Sequence, residues 1–171
     1  MAKIPSVLAD INSFIGDTIN YAGLIKKAVL PNIAFKTKTF SASGMAGDID
    51  VVLHRLEKLT AQLTFSSYEA QLMGLLGSPE AKETPIVLRG YVIVHGGSQE
   101  VKATLQGVWH KMEMNEFSPE QEVTVDYEVS IEKYILEIDN KEIFNIDLPL
   151  NKTVILGKDR TKAARKALAQ D

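Results

Sequence analysis

The chain has 171 residues, of which 45% are hydrophobic and 24% are charged, and its formal net charge at pH 7 is −3. It contains no cysteine, which excludes disulfides, thiolate catalysis and cysteine-ligated metals. Five cations and two carboxylates fall in residues 156–171, so the remaining body is acidic and a poor nucleic-acid-binding surface. The first residues lack a continuous apolar run, and no stretch approaches the ~18 apolar residues of a membrane helix. We therefore expect a soluble protein made in the cytoplasm.

Alternation of apolar and polar residues predicts strands along most of the chain. The alternating stretch of residues 86–111 is predicted to form a hairpin that turns at Gly96, Gly97 and Ser98. A later turn falls at Asp139-Asn140, where Asn tolerates the left-handed conformation. The predicted strand segments are residues 33–40, 49–54, 59–65, 86–111, 122–131 and 134–147.

Helix is predicted in two places only. Residues 66–79 begin with a capping box formed by Ser66 and Glu69, and they end at Gly77 and Pro79. The segment from Asp159 onward has a small apolar stripe with basic residues around the rest. We predict one mainly β domain over residues 1–171, a β-sandwich or barrel with one short covering helix and a C-terminal helical segment.

One long strand changes its apolar face. Apolar residues fall on odd numbers up to Ile131 and on even numbers from Tyr134. Because side chains alternate across a strand, its buried face must switch sides between them. We predict a bulge or bend near Lys133, after which the strand serves a second sheet or a neighbouring molecule.

The sequence offers no catalytic, metal or cofactor site. His54, His95 and His110 have no ligand spacing, and no glycine-rich phosphate loop is complete. Carboxylate pairs alternate with apolar residues as on a solvated strand face, so we predict no enzymatic activity and no small-molecule ligand. Instead, residues such as Phe40, Val52 and Ile93 lie opposite the main apolar set of their strands. Strands that are apolar on both faces need another surface, and a copy of the same chain is the simplest one.

An ordered set of short motifs resembles that of major tail tube proteins from contractile-tailed bacteriophages, and of the R-type bacteriocins derived from them. The set spans nearly the whole chain, which makes it more specific than any single motif. Ser43 departs from it where the family usually has a glycine, as does Asn140 in the last hairpin. The matching residues are Asn12 and Phe14; Tyr21 and Gly23; Leu30, Pro31, Ile33 and Lys36; Gly44 and Met45; Asp50; and residues 88–90, 104–107 and 134–147.

The resemblance implies a β-sandwich subunit that closes into hexameric rings, which stack helically into a hollow tube. The implied partners are further copies of the chain, a contractile sheath, baseplate and tail-terminator proteins, and a tape-measure protein. The tube would form the tail of a virion assembled in the host cytoplasm, and it would conduct DNA without binding it specifically.

Three sets of residues are assigned roles in such a tube. The loop Ser43, Gly44, Met45, Ala46 and Gly47 is predicted to contact a neighbouring subunit, the alternative being a mobile hairpin tip. Like charges on one strand face require water, either outside the tube or in its bore, and we assign them to the bore. That lumen face comprises Glu122, Asp126, Glu128 and Glu132. Lys162, Arg165 and Lys166 are predicted to face the sheath, the alternative being a solvated helix.

Other functions remain open at this stage. The tube of a phage-derived bacteriocin, a type VI secretion apparatus or another contractile injection apparatus shares the same architecture. A monomeric β-sandwich binding module belongs to a different class and requires an exposed aromatic cluster, which the sequence does not show. A jelly-roll enzyme lacks any set of ligand residues here.

Overall fold

The computed structural model describes residues 3–16 and 19–170. Within these residues, strands alternate with short connections and very little helix. The helices are α1 (Ala70–Met73), a 3-10 helix (Pro79–Glu83) and α2 (Lys162–Ala167). The strands are β1 (Val7–Ile15), β2 (Ile19–Asn20), β3 (Ile25–Val29), β4 (Phe35–Phe40), β5 (Ile49–Leu56), β6 (Leu59–Phe65), β7 (Ile86–Val94), β8 (Gly97–Met114), β9 (Val125–Ile138), β10 (Lys141–Asp147), β11 (Lys152–Ile155) and β12 (Lys158–Asp159).

All strands except β4 and β5 join one antiparallel sheet in the order β12-β11-β10-β9-β8-β7-β1-β2, with β3 and β6 attached beside β9. Strand β9 connects the two parts of this sheet. It pairs with β8 along its length, while its residues 125–131 pair with β6 and its residues 133–138 pair with β10. The change of partner therefore occurs in the middle of one strand.

The switch of apolar face coincides with this change of partner. Ile131 of β9 lies opposite Gly107 of β8, and Lys133 lies opposite Gln106. Glu132 therefore has no partner in β8 and is an extra residue of β9. Such a β-bulge shifts the alternation by one residue. Odd-numbered residues are therefore buried up to Ile131, and Tyr134 is buried beyond it. The predicted bulge near Lys133 is confirmed, and the second half of the strand serves β10 of the same chain.

Gly107 lies at a close approach of the two long strands. A Cβ at this position would lie 2.0 Å from the carbonyl oxygen of Ser130. A second bulge leaves His110 as an extra residue of β8, between the pairs formed by Trp109 and Lys111. Since bulges bend a strand and increase its twist, they allow β8 to pass through both parts of the sheet.

The core is built from inward-facing residues of both parts of the sheet, and Leu72 of α1 and Ala81 of the 3-10 helix join it. The rings of Trp109 and Tyr127 meet edge to face with their centroids 5.3 Å apart. Burial raises the pKa of Tyr134 to about 12. The predicted inward set of β6 is fully buried, namely Leu59, Ala61, Leu63 and Phe65.

The predicted helix over residues 66–79 is wrong for most of its length, because α1 covers four residues and a 3-10 helix follows. The capping box does not form. Ser66 Oγ donates to the carbonyl of Leu24 at 3.1 Å, and Ser67 Oγ donates to the carboxylate of Glu69 at 2.8 Å. Tertiary contacts thus replace the local cap. No helix within residues 3–16 and 19–170 is long and apolar enough to cross a membrane.

The two predicted hairpin turns both occur, one of them displaced. The β7–β8 hairpin turns at His95 and Gly96, because Gly97 already pairs with the last residue of β7. Gly96 has a φ of 82°, which glycine adopts without strain. The turn at Asp139 and Asn140 is confirmed, with φ values of 50° and 62°.

Candidate functional site

Strands β4 and β5 form a hairpin that stands apart from the large sheet. They pair with each other and with no other strand in the described part of the chain. Both strands are exposed along their length, except that Phe35 and Leu56 at the base are half-buried. The backbone N–H of Glu57 donates to the carbonyl of Ala34 at 2.7 Å and closes this base. We call residues 35–56 the arm.

The arm has one apolar face and one more polar face. Phe40 pairs with Ile49, and Val51 follows on the same side of β5; all three side chains are between 43% and 52% exposed. On the opposite face, Thr39 Oγ1 donates to the carboxylate of Asp50 at 2.7 Å. A lone two-stranded hairpin is only marginally stable in water, so this arm needs a surface to cover it. We call Phe40, Ile49, Val51 and Leu53 the apolar arm face.

The predicted inter-subunit loop forms the tip of the arm. Its five residues, Ser43, Gly44, Met45, Ala46 and Gly47, are all exposed. Gly44 has a φ of 89°, a conformation that favours glycine. Met45 presents a flexible apolar side chain at the far end of the hairpin. The contact of this loop with another subunit stays a prediction.

The four carboxylates assigned to one strand face do not share it. Strand β9 begins only at Val125, so Glu122 lies in the preceding loop, where it is 2.8 Å from Lys26 Nζ. Glu132 is the extra residue of the bulge and lies 3.0 Å from Lys82 Nζ of the 3-10 helix. The sequence pattern indicates alternation but not where the strand begins or where a bulge interrupts it.

Asp126 and Glu128 are the two carboxylates on the regular outer face of β9. Asp126 accepts hydrogen bonds from Thr64 Oγ1 at 2.5 Å and from Asn115 Nδ2 at 3.2 Å. Glu128 lies 3.4 Å from His110 Nε2. The two donors that hold Asp126 reduce the repulsion expected between the two carboxylates.

The outer face around these two carboxylates carries both signs of charge. Lys111 Nζ lies 2.9 Å from the carboxylate of Glu113, and this hydrogen bond raises the pKa of Lys111. Both side chains lie beside Asp126 and Glu128 in a polar groove of about 130 Å³. The surface is polar and partly exposed, but it is less strongly acidic than the sequence of β9 alone indicates.

Of the three cations assigned to the outside of the tube, Arg165 instead turns toward its own subunit. Its Nη2 lies 2.6 Å from Asp159 Oδ2, and its Nη1 donates to the carbonyl of Asn151 at 3.2 Å. The hydrogen bond to Arg165 holds the pKa of Asp159 at about 2. Arg165 therefore anchors the C-terminal segment, whereas Lys162 and Lys166 are exposed.

We expect Asp159→Asn to loosen this anchor. The Oγ1 of Thr161, to which Arg165 also donates, accepts a hydrogen bond from the backbone N–H of Thr153 at 3.1 Å. Hydrogen exchange of the Thr153 amide should therefore accelerate on the order of tenfold at pH 6.

The same anchor depends on pH. Because the folded-state pKa of Asp159 is depressed, the ion pair with Arg165 stabilises the folded protein fully above pH 3.8, and this stabilisation is lost as pH falls through about 2. Equal exchange in both proteins at pH 6 would contradict an anchoring role.

The three histidines lie far apart in the topology. His54 is in the arm, His95 is in the β7–β8 turn and His110 is in the second half of β8. The described residues contain no group of three or more histidines and carboxylates placed to hold a metal ion.

A second exposed apolar surface lies where β1 begins and the antiparallel strand β7 ends. Val7 pairs with Ile93, and both side chains are about half exposed. Beside them, Asp10, Tyr91 and Glu100 form one cross-strand row and line a groove of about 460 Å³. We call these five residues the distal face. The sequence pattern identifies only Ile93 as an outward apolar residue, because pairing with β1 is not visible in it.

Two solved structures from an extracellular contractile injection system, PVC, have a similar fold. A chain of the PVC sheath–tube complex in the extended state is 8% identical, with a TM-score of 0.57 over 78% of this chain and 91% of its own. A chain of the PVC sheath/tube terminator in the extended state is 9% identical, with a TM-score of 0.60 over 80% and 99%. The TM-scores show a likeness of fold, which at such low identities is all that they show, and the predicted mainly β tube fold is confirmed.

No curated protein matches the chain. The family model for phage tail tube protein FII matches residues 5–168, which is almost the entire chain. The resemblance found in the sequence motifs is thereby confirmed. The chain belongs to the phage tail tube protein FII family.

Proposed function

We propose that this chain is the subunit that polymerises, as stacked hexameric rings, into the inner tube of a contractile phage tail. Tail tube proteins are structural rather than enzymatic. The tube would be a component of the virion, assembled in the host cytoplasm, and it would conduct DNA into the host without binding it specifically. Its partners would be other copies of the chain, the sheath, baseplate and tail-terminator proteins, and a tape-measure protein.

The exposed arm is the observation that carries this proposal. Its apolar face is uncovered in the single subunit, although such a face is normally buried. A contact between two different surfaces of identical subunits repeats from copy to copy, and it gives rings or open filaments. An arm that docks on a different surface of the next copy is a contact of this kind. The tip loop, residues 43–47, would then reach across the interface between successive rings.

Electron microscopy and sedimentation of the purified protein test the proposal. We expect rings or tubes of uniform diameter, formed spontaneously or after seeding with tail baseplates. Deletion of residues 43–47 should leave a soluble subunit that no longer elongates. A protein that stays monomeric across a wide concentration range, also after seeding, would contradict the proposal.

The tube of an extracellular contractile injection system is a second candidate, because the two solved structures described above come from such a system. Particles purified with this chain distinguish the two. DNA-filled heads attached to the tails support the phage tail, whereas headless particles support the injection system.

We propose that the outer face of β9 lines the bore. Carboxylates repeated around a ring would keep phosphates away from the wall. Glu128→Lys combined with Glu113→Lys should leave tube assembly intact but slow DNA ejection severalfold, with the defect easing at high salt. Asp126 is left unchanged in this variant because its carboxylate accepts hydrogen bonds from Thr64 and Asn115.

Glu80→Lys is the matched control for this charge reversal, because Glu80 is exposed on the 3-10 helix and does not line the groove beside Asp126 and Glu128. It should leave ejection unchanged. Normal ejection by the Glu113 and Glu128 double variant, together with failure to recruit sheath, would place this face on the outside of the tube.

We propose that Lys162 and Lys166 of α2 face the sheath. Both are exposed in the subunit, whereas Arg165 is held by Asp159. An amine-reactive label should modify both lysines in bare tubes and several times less in sheathed tails. The exposed Lys3 provides an internal comparison for the extent of labelling. Equal labelling of Lys162 and Lys166 in both particles would exclude a sheath contact at α2.

A further inference from the structure

We propose that the distal face of one subunit receives the apolar arm face of the next. This inference rests on the proposed self-assembly, and it specifies the partner surface: a second copy of the same chain, joined through residues of β1, β7 and β8. The distal face is the end of a sheet, and the arm is a two-stranded ribbon. Two such surfaces can pack face to face with interdigitating side chains.

The apolar parts of the two surfaces match in kind. Val7 and Ile93 are directly paired at the sheet end, and Tyr91 lies in the neighbouring row of the same outward face. Each of these side chains is about half exposed in the subunit. The groove beside Tyr91, about 460 Å³, offers space for a large side chain such as Phe40 of the arm.

The charges of the two surfaces are complementary. Lys38 pairs with Val51 on the apolar arm face, and its Nζ lies 5.4 Å from the centroid of the Phe40 ring. On the distal face, Asp10 and Glu100 flank Tyr91, and the next row of the same groove carries Arg89 and Lys102, of which Lys102 lies 3.7 Å from Glu137. Among the described residues, neither carboxylate takes part in an ion pair of 4 Å or less. An incoming Lys38 would meet Asp10 and Glu100 when it approaches from the row of Val7 and Ile93, on the side away from Arg89 and Lys102.

A second apolar surface around Phe117 and Met114 is less suited to the arm. Two of the carboxylates beside it are engaged, because Glu113 binds Lys111 at 2.9 Å and the loop residue Glu122 binds Lys26 at 2.8 Å, while Glu116 accepts a hydrogen bond from Ser118 Oγ at 2.8 Å. Phe117 itself is 90% exposed on the loop between β8 and β9, and it does not belong to a paired strand.

A third apolar surface, at the C-terminal end, has the wrong charge. Exposed Leu156 and Leu168 stand among the cations of residues 158–166. An arm that carries Lys38 on its apolar face would be repelled there. The position of its apolar side chains on paired strands therefore favours the distal face over the Phe117 surface, and its two carboxylates favour it over the C-terminal surface.

The absence of cysteine allows a direct test by crosslinking. A Val51→Cys subunit carrying a mass tag is assembled with an untagged Ser98→Cys subunit, and the tubes are treated with a short thiol-specific bismaleimide. Ser98 is exposed and pairs with Ile93 at the edge of the distal face. The matched controls replace Ser98→Cys with Phe117→Cys or Leu156→Cys on the two other surfaces.

We expect the mixed crosslink to Ser98→Cys to exceed those to Phe117→Cys and Leu156→Cys by at least about fivefold, since a thiol pair must be close to react. A higher yield at either control position, in tubes whose arm is protected from solvent, would overturn the distal face while leaving the proposed assembly intact. Tubes that form with an unprotected arm would refute docking of the arm on any surface, while still supporting the proposed self-assembly.

A charge exchange provides a second measurement. Lys38→Glu should slow elongation by about fivefold, as expected for an exposed ion pair turned into a repulsion. Adding Glu100→Lys should restore most of the rate, because the pair is then reformed with its signs exchanged. Adding Glu116→Lys, near Phe117, is the control and should restore nothing. Rescue by Glu116→Lys rather than by Glu100→Lys would contradict the proposed contact.

Discussion

We expect Val51→Asp to abolish tube formation while leaving the subunit folded. Val51 is 43% exposed on the apolar arm face and contributes nothing to the buried core. In the tube this side chain would be covered by a neighbouring copy, where a buried carboxylate loses its hydration and adjoins the carboxylates of the distal face. A loss of about 3 kcal/mol corresponds to a fall in the association constant on the order of 100-fold. Sedimentation and electron microscopy should show only small species.

Val52→Asp is the matched control, since it makes the same change one residue further on. Val52 is 64% exposed and pairs with Thr37 on the opposite face of the arm. Both variants carry the same change in charge, volume and strand propensity, so a difference between them reports which face is covered. Tubes of normal length from Val51→Asp would refute burial of the apolar arm face, and loss of tubes from both variants would show that both faces are covered.

We expect Gly107→Ala to prevent stable folding. A Cβ at this position would lie 2.0 Å from the carbonyl oxygen of Ser130 and 2.9 Å from the Cα of Ile131. These are backbone atoms of the adjacent strand, so no rotamer change relieves the clash. The cost should exceed about 3 kcal/mol, a large fraction of the 5–15 kcal/mol that stabilises a typical domain. Urea unfolding followed by the fluorescence of Trp109 in the non-assembling Val51→Asp background measures it.

Gly97→Ala is the control for this substitution. A Cβ at Gly97 would have no heavy atom within 4 Å outside its chain neighbours. We expect the free energy of unfolding to change by no more than about 0.5 kcal/mol. If Gly107→Ala were as stable as Gly97→Ala, the close pairing of β8 with β9 would be incorrect.

The core strands could be predicted from the sequence because one of their faces is buried. Alternation in residues 59–65 and 125–131 directly records that burial, and a displacement of the alternation records the bulge at Glu132. The position of Gly107 against Ser130 could not be predicted, since it depends on the register between two strands. The prediction of a helix over residues 66–79 was wrong because the Ser66 hydroxyl donates a hydrogen bond to the carbonyl of Leu24 and does not cap a helix of its own.

The candidate assembly surfaces were predicted less completely, for a physical reason. The sequence of the arm shows an apolar face, but no local pattern tells whether the same chain covers it. Charge is equally ambiguous, because Arg165 and Lys166 look alike in the sequence while only Arg165 meets Asp159. The distal face combines residues of three strands, Val7 from β1 with Ile93 from β7 and Glu100 from β8, and only tertiary pairing brings them together.

Burial of the arm in a neighbouring subunit is the central claim, and hydrogen–deuterium exchange tests it most directly. Peptides from residues 35–56 are compared between assembled tubes and free subunits, with peptides from the core strand β6 as the internal reference. The proposed contact predicts rapid exchange throughout the arm in free subunits and slow exchange in tubes, with β6 slow in both. Arm peptides that exchange equally fast in tubes and in free subunits would contradict it.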